Sequence, residues 1–155
     1  MLKSIEGNFD HPKVNQLLEK HFIELRAASP EGSAHVLDIP GLKDPSIKFW
    51  SLWEDDHLMG CGALKFLDKD HGEFKSIRVH DDFRGKGNGI KVINHLINEA
   101  RKLKIKKLSL ETGAGNFFDP AKKLFHNCGF TPCPPFAHYL EDANSLYLSK
   151  IIDTN

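Results

Sequence analysis

Hydrophobic residues recur along this chain with two different periods. Val14, Leu17, Leu18, Phe22 and Leu25 stand three or four residues apart and define one face of a helix. Asp10-His11-Pro12 precedes them, an acceptor followed by a proline in the first turn, which starts a helix. Ile90, Ile93, Leu96, Ile97, Ala100 and Leu103 mark a second helix. Asp119-Pro120 opens a third, with Ala121, Leu124 and Phe125 inward, and Cys128-Gly129-Phe130 ends it, Gly129 taking the left-handed position beyond the last turn. Extended runs are predicted over 2–9, 47–53, 58–67, 73–79, 107–112, 136–140 and 145–152. Polar turns at 54–57, 68–72 and 141–144 connect several of them. Residues 28–45, rich in Ser, Pro and Gly, read as a long loop with room for a short helix near His35 to Leu37.

The three runs between 47 and 79 are joined by short turns, so they form an antiparallel meander. Strand, helix and strand from 73 to 112 then require a parallel pairing through a right-handed crossover. The expected fold is α/β (α+β), a mixed, centrally antiparallel sheet of six to seven strands with helices on both faces. One domain spanning residues 1–155 fits the length.

Composition narrows the function. Twenty-one basic residues balance 21 acidic ones, so no overall field draws the chain to nucleic acid. The densest basic run, 101–107, falls where a helix ends, and the helix dipole accounts for it. No apolar stretch reaches membrane-spanning length, and the first residues lack the apolar core of a signal peptide. Cys61, Cys128 and Cys133 show neither a disulfide nor a zinc pattern, which fits a reduced, cytoplasmic setting. Nine histidines show no metal-ligand spacing, so no metal is expected.

Candidate chemistry concentrates in Arg84-Gly85-Lys86-Gly87-Asn88-Gly89, between a strand and a helix. The glycines let backbone N–H groups approach a ligand, and the helix N-terminus adds unpaired donors and a positive dipole end. The segment is a phosphate cradle. It is not a P-loop, because no Lys-Ser or Lys-Thr follows a glycine. It is not the dinucleotide fingerprint, whose third glycine would fall at Ile90.

Arg84-x-x-Gly87-x-Gly89 resembles the pyrophosphate signature of the GNAT superfamily of N-acetyltransferases. Ala121-x-x-Leu124-Phe125-x-x-x-Gly129-Phe130 resembles that family's A-x-x-L-Y-x-x-x-G-F segment, and the order of elements is also similar. The stretch 110–113, the Pro120-Ala121 start and the 139–149 tail look most like a bacterial subgroup of uncharacterised small acetyltransferases. The resemblance implies an acyl-CoA N-acyltransferase fold, splayed between the fourth and fifth strands, and acetyl-CoA as co-substrate. It implies that the pyrophosphate lies on residues 84–89 and that the pantetheine arm pairs with Ile77, Arg78 and Val79. The Val79 N–H would polarise the thioester carbonyl. Asn116 and Phe125 are implied as further cofactor-side residues.

The implied reaction is attack of an amine on the thioester, which calls for a general base. Glu111, ending the second splayed strand, is the preferred candidate; Glu73 on the central strand and His35 in the long loop are others. Each has a plainer alternative as a solvated or paired surface group. The usual general acid is the tyrosine of L-Y-x-x-x-G-F, replaced here by Phe125, which has no proton to donate. Tyr139, His126 or water could protonate the thiolate, or it leaves unassisted; Tyr139 is preferred. Lys75 and Arg78, expected on opposite faces of one strand, could hold an acceptor carboxylate. The expected acceptor is therefore a small primary amine, with or without a carboxylate, and no nucleic-acid or membrane partner is expected. The last strands could also pair across a homodimer. A non-catalytic acyl-CoA-binding module and a protein N-acetyltransferase are the alternatives.

Overall fold

The computed structural model describes residues 2–29 and 38–152. His35, and the short helix expected near it, lie outside the described residues. In chain order the elements are β1 (Leu2–Glu6), α1 (Pro12–Ala28), the single turn α2 (Ile39–Leu42), β2 (Ile47–Glu54), β3 (His57–Phe66), β4 (His71–Val79), α3 (Asn88–Lys102), β5 (Lys107–Gly113), α4 (Asp119–Asn127), β6 (Thr131–Pro132) and β7 (Ser145–Ile151). The strands form one sheet in the order β1-β2-β3-β4-β5-β7-β6. The β4–β5 pair is parallel and the others are antiparallel.

Strand periodicity sends alternate side chains into two separate cores. Trp50, Leu52, Leu64, Phe74, Leu108 and Leu110 pack with Ile93, Leu96 and Phe125 beneath α3 and α4. Phe49, Trp53, Cys61 and Ala63 pack with Val14, Leu17, Leu18 and Phe22 beneath α1. The helices start and stop as the pattern requires. The His11 Nδ1 accepts the Lys13 N–H at 3.1 Å before Pro12. Gly129 takes φ 93° after α4.

Two expectations are corrected. Residues 136–140 are not a strand; the penultimate strand is the two-residue β6. Pro134 and Pro135 withhold N–H donors just before this segment, and Ala137 adopts φ 53°. The chain turns there, with the Tyr139 N–H donating to the Phe136 carbonyl at 3.0 Å. Phe136 and Tyr139 thereby both pack against Tyr147, edge-on and tilted, at ring separations of 5.9 and 5.6 Å. The second correction concerns Lys75 and Arg78. Lys75 pairs with Ala63 and Arg78 with Cys61, so β4 carries one extra residue in between. Ser76, at φ 53°, sits in this bulge. The bulge shifts the alternation by one, and Lys75 and Arg78 share the α1 face instead of opposing one another.

The splay is where it is expected. β4 and β5 pair only from His71–Lys107 to Phe74–Leu110. Beyond that point the bulged end of β4 and the end of β5 part, and a cleft opens between them.

Candidate active site

The cofactor side of the cleft begins at the phosphate loop. Gly85 and Gly87 sit at φ 79° and 78°, and a Cβ at either would meet nothing within 4 Å. The glycines serve the left-handed backbone, and the space in front of them is open. Gly87 is the N-cap of α3, and no side chain caps that helix. Its first-turn N–H groups therefore have no side-chain acceptor, and together with the dipole they suit a diphosphate. Gly89 serves packing instead: a Cβ there would come within 2.9 Å of Leu124 on α4.

Surrounding side chains brace this loop. The Asn88 Nδ2 donates to the Phe83 carbonyl at 2.8 Å. The Arg84 Nε donates to the Val79 carbonyl at 3.3 Å and pairs with Asp81 at 3.3 Å. Asp81 also pairs with Lys20 of α1, and this bond leads the causes that hold its carboxyl below the usual range. From the loop a cavity of about 460 Å³ runs along Ile77, Arg78 and Val79, floored by Phe117, Phe118, Ala121, Leu124 and Phe125. Arg84, Gly85, Gly87 and Gly89 line it; Lys86, Asn88 and Asn116 do not.

Arg78 is engaged with carboxylates on the α1 side through its two terminal nitrogens, and its buried Nε has no hydrogen-bond partner. It is 5% exposed, pairs with Glu24 of α1 at 2.5 Å and reaches Asp81 at 3.4 Å. The bond from Arg78 holds the Glu24 carboxyl below its usual range. Arg78 thus ties α1 to the entrance of the phosphate loop.

A smaller cavity of about 130 Å³ lies between the parted strand ends, lined by Glu73, Lys75 and Glu111 among others. Glu73, Lys75 and Tyr139 form a closed triangle. The Tyr139 hydroxyl donates to Glu73 Oε2 at 2.6 Å, and the Lys75 ammonium donates to the same oxygen at 3.1 Å and to the Tyr139 oxygen at 2.9 Å. Glu73 is 2% exposed and its charge is met within the triangle. Burial, followed by the bond to Glu73, pushes the Tyr139 hydroxyl far above the usual tyrosine range. The Tyr147 hydroxyl donates to the Leu140 carbonyl at 2.9 Å and fixes the segment that carries Tyr139. Glu111 faces this group from β5, opposite Tyr147.

His21 on α1 lines both cavities. It went unnoticed among the candidates, although its place between Leu18 and Phe22 on the inward face of α1 was readable from the spacing. Burial, followed by the nearby Arg78 charge, lowers its pKa to about 4. His126 is exposed on α4 and lines neither cavity. Cys61 is buried, and its thiol is pushed up to about 12, which removes it as a nucleophile. Among the described residues no group of His, Cys, Asp or Glu could hold a metal ion, and no helix is long and apolar enough to cross a membrane.

A sheet splayed after its fourth strand, with an uncapped glycine-rich helix start at one end of the gap, is the architecture of acyl-CoA N-acyltransferases. The chain belongs to the acetyltransferase (GNAT) family, whose model matches residues 12–130. It is 46% identical over 138 residues to the uncharacterized N-acetyltransferase YsnE of Bacillus subtilis, covering 89% of this chain and 91% of that protein. It is 38% identical over 145 residues to the uncharacterized N-acetyltransferase YedL of Escherichia coli, covering 94% and 91%. The putative acyl-CoA N-acyltransferase from Klebsiella pneumoniae shares the fold, with a TM-score of 0.76 at 20% identity and 97% of each chain covered. The protein is accordingly an acetyl-CoA-dependent N-acetyltransferase. The open, uncapped loop and the unpaired end of β4 fit that co-substrate.

Proposed function

We propose that the protein transfers the acetyl group of acetyl-CoA to the primary amine of a small acceptor that also carries a carboxylate. The Lys75 ammonium carries this proposal: it stands in the acceptor cavity with two N–H groups on Glu73 and Tyr139, which leaves a third for an anion. The carboxylates of Glu73 and Glu111 in the same cavity suit the acceptor's ammonium. The small volume, about 130 Å³ against about 460 Å³ on the cofactor side, favours a compact acceptor over a peptide.

In this mechanism the residues 84–89 hold the pyrophosphate, and Ile77 to Val79 hold the pantetheine arm along the unpaired edge of β4. Glu111 takes the proton that the ammonium must lose, directly or through one water. Glu73 is the less suited base, because its Oε2 already accepts two hydrogen bonds. The amine nitrogen then attacks the thioester carbon, whose oxygen takes the Val79 N–H. The C–S bond breaks, coenzyme A leaves as a thiolate, and the nitrogen gives up its second proton to solvent as the neutral amide forms. Tyr139 is a weak proton source for it, since its hydroxyl is pushed upward and committed to Glu73. Its role is to hold Glu73 and Lys75 in place, and solvent protonates the thiolate, a competent leaving group near neutral pH.

Thiol release from acetyl-CoA, measured over the standard amino acids and over simple amines of equal size, tests this. Turnover should favour the amino acids, and Lys75→Met should remove that preference by about tenfold. Equal turnover of both sets by the wild type would refute the carboxylate. Acetylation of peptides but of no free amine would favour a protein acetyltransferase.

A further inference from the structure

Gly113 ends β5, and its own backbone does not call for a glycine. It does not take the left-handed conformation that reserves positions 85 and 87 for glycine. A Cβ there would instead run into Phe118, and the three atoms it would meet first all belong to that ring. The missing side chain is a seat for the ring against the end of β5. The seat is braced on both sides. The Phe118 N–H donates to the Gly115 carbonyl at 3.0 Å, and the Ala114 N–H donates to the Asn144 carbonyl at 2.9 Å. The Lys122 ammonium donates to the Ala114 carbonyl at 3.0 Å and pairs with Asp119 at 2.8 Å. Phe117 meets Phe118 edge to face at 5.1 Å.

What the ring borders gives this seat its meaning. Phe118, with Ile77, Ala121 and Phe125, lines both the larger cavity that starts at the phosphate loop and the smaller one between the strand ends. The ring thus has β5 on one side and the junction of the two cavities on another. A cofactor whose pyrophosphate lies at residues 84–89 brings its opposite end, the acyl group, to that junction. The side chains there are apolar, which suits a hydrocarbon end. Space beyond it is short, since the smaller cavity holds about 130 Å³. Each added methylene must find room against a ring that cannot retreat, because the end of β5 stands directly behind it.

We propose that Phe118, seated on Gly113, sets the acyl specificity of the donor: it leaves room for the acetyl methyl and blocks longer chains. This rests on coenzyme A lying along residues 77–79 and 84–89, and it is independent of which amine is the acceptor. The bonds made and broken are those of acetyl transfer, and Phe118 takes no part in the proton transfers. Changes at the ring and at its seat should act in opposite senses. Removing the ring widens the junction. A Cβ placed beneath the ring pushes it off β5 and into the junction.

Calorimetric titration of the full chain with free CoA, acetyl-CoA and butyryl-CoA, with no amine present, tests this. The wild type should bind butyryl-CoA about 10- to 100-fold more weakly than acetyl-CoA. Phe118→Ala should bring the two affinities to within about threefold of each other and leave free CoA within about threefold of wild type. Gly113→Ala should weaken acetyl-CoA about tenfold relative to free CoA. Phe118→Leu keeps an apolar side chain in the seat and should give an intermediate ratio; it decides the matter if Phe118→Ala does not fold. Equal binding of acetyl-CoA and butyryl-CoA by the wild type would overturn the proposal. So would a ratio that neither Phe118 variant changes, or an equal loss for all three ligands, which would make the ring a general part of the coenzyme A site. A Gly113→Ala chain that binds acetyl-CoA as tightly as the wild type would also overturn it. A wild type that binds no free CoA would refute the cofactor placement itself before any variant is compared, and the role of Phe118 would fall with it.

Discussion

The two halves of the cleft are built by different means. The cofactor half is made largely of backbone. Its loop depends on two glycines at positive φ, a helix start without a side-chain cap, and a strand end freed by a bulge. The half proposed to take the acceptor is made of side chains from four separate places: His21 on α1, Glu73 and Lys75 on β4, Glu111 on β5, and Tyr139 from the irregular segment before β7. A backbone site reads any diphosphate-linked cofactor of the right length. A side-chain site reads one acceptor and can change without disturbing the other half.

If the halves are separable, substitutions should divide cleanly between them. The largest effect is expected at Glu111. Glu111→Gln should lower kcat by about 10²- to 10⁴-fold with acetyl-CoA affinity by calorimetry unchanged; retention of kcat would move the base to Glu73. Next is Gly87→Val. A β-branched residue at φ 78° is strained by about 1–3 kcal/mol, so the acetyl-CoA KM should rise about 10- to 100-fold while the amine KM holds. A change in the amine KM alone would break the division.

A smaller effect concerns pH. In the unfolded chain His21 takes a proton near pH 6.5, and in the folded chain only near pH 4. Between those values the unfolded state binds the proton and the folded state does not, so stability falls as pH drops through that window and is unaffected above it. The full penalty is about 3 kcal/mol. His21→Phe should abolish this part of the acid destabilisation in urea titrations at pH 7 and pH 4.5. Tyr139→Phe should have the smallest effect, removing two hydrogen bonds but leaving Glu73 paired with Lys75. A loss of about 1–2 kcal/mol in urea unfolding is expected, with kcat within about tenfold of wild type. A collapse of kcat would make Tyr139 the general acid.

The same contrast explains what the sequence disclosed. Backbone sites leave a local signature, because left-handed turns select glycine and helix starts follow from hydrophobic spacing. Arg84 to Gly89 and the 107–129 unit were legible for that reason. The acceptor side depends on long-range placement. One extra residue in β4 moved Lys75 and Arg78 to a common face, and nothing in the 73–79 run announces a bulge there. The ion pair with Glu24 turned the end of Arg78 toward α1, a contact across 54 positions of sequence, from 24 to 78. Residues 136–140 alternate well enough to suggest a strand, but two preceding prolines and the packing of Phe136 and Tyr139 on Tyr147 gave a turn. His21 was legible only as an inward position on α1, and helical spacing alone does not separate a core histidine from one that lines a cleft.

The most direct test is the steady-state rate of thiol release from acetyl-CoA by the wild-type chain, measured over free amino acids, simple amines of equal size and short peptides. Saturable release with at least one amino acid, faster than with the matching simple amine, is the predicted result. Release with peptides alone, or with none of the three, would contradict a small carboxylate-bearing amine as the acceptor.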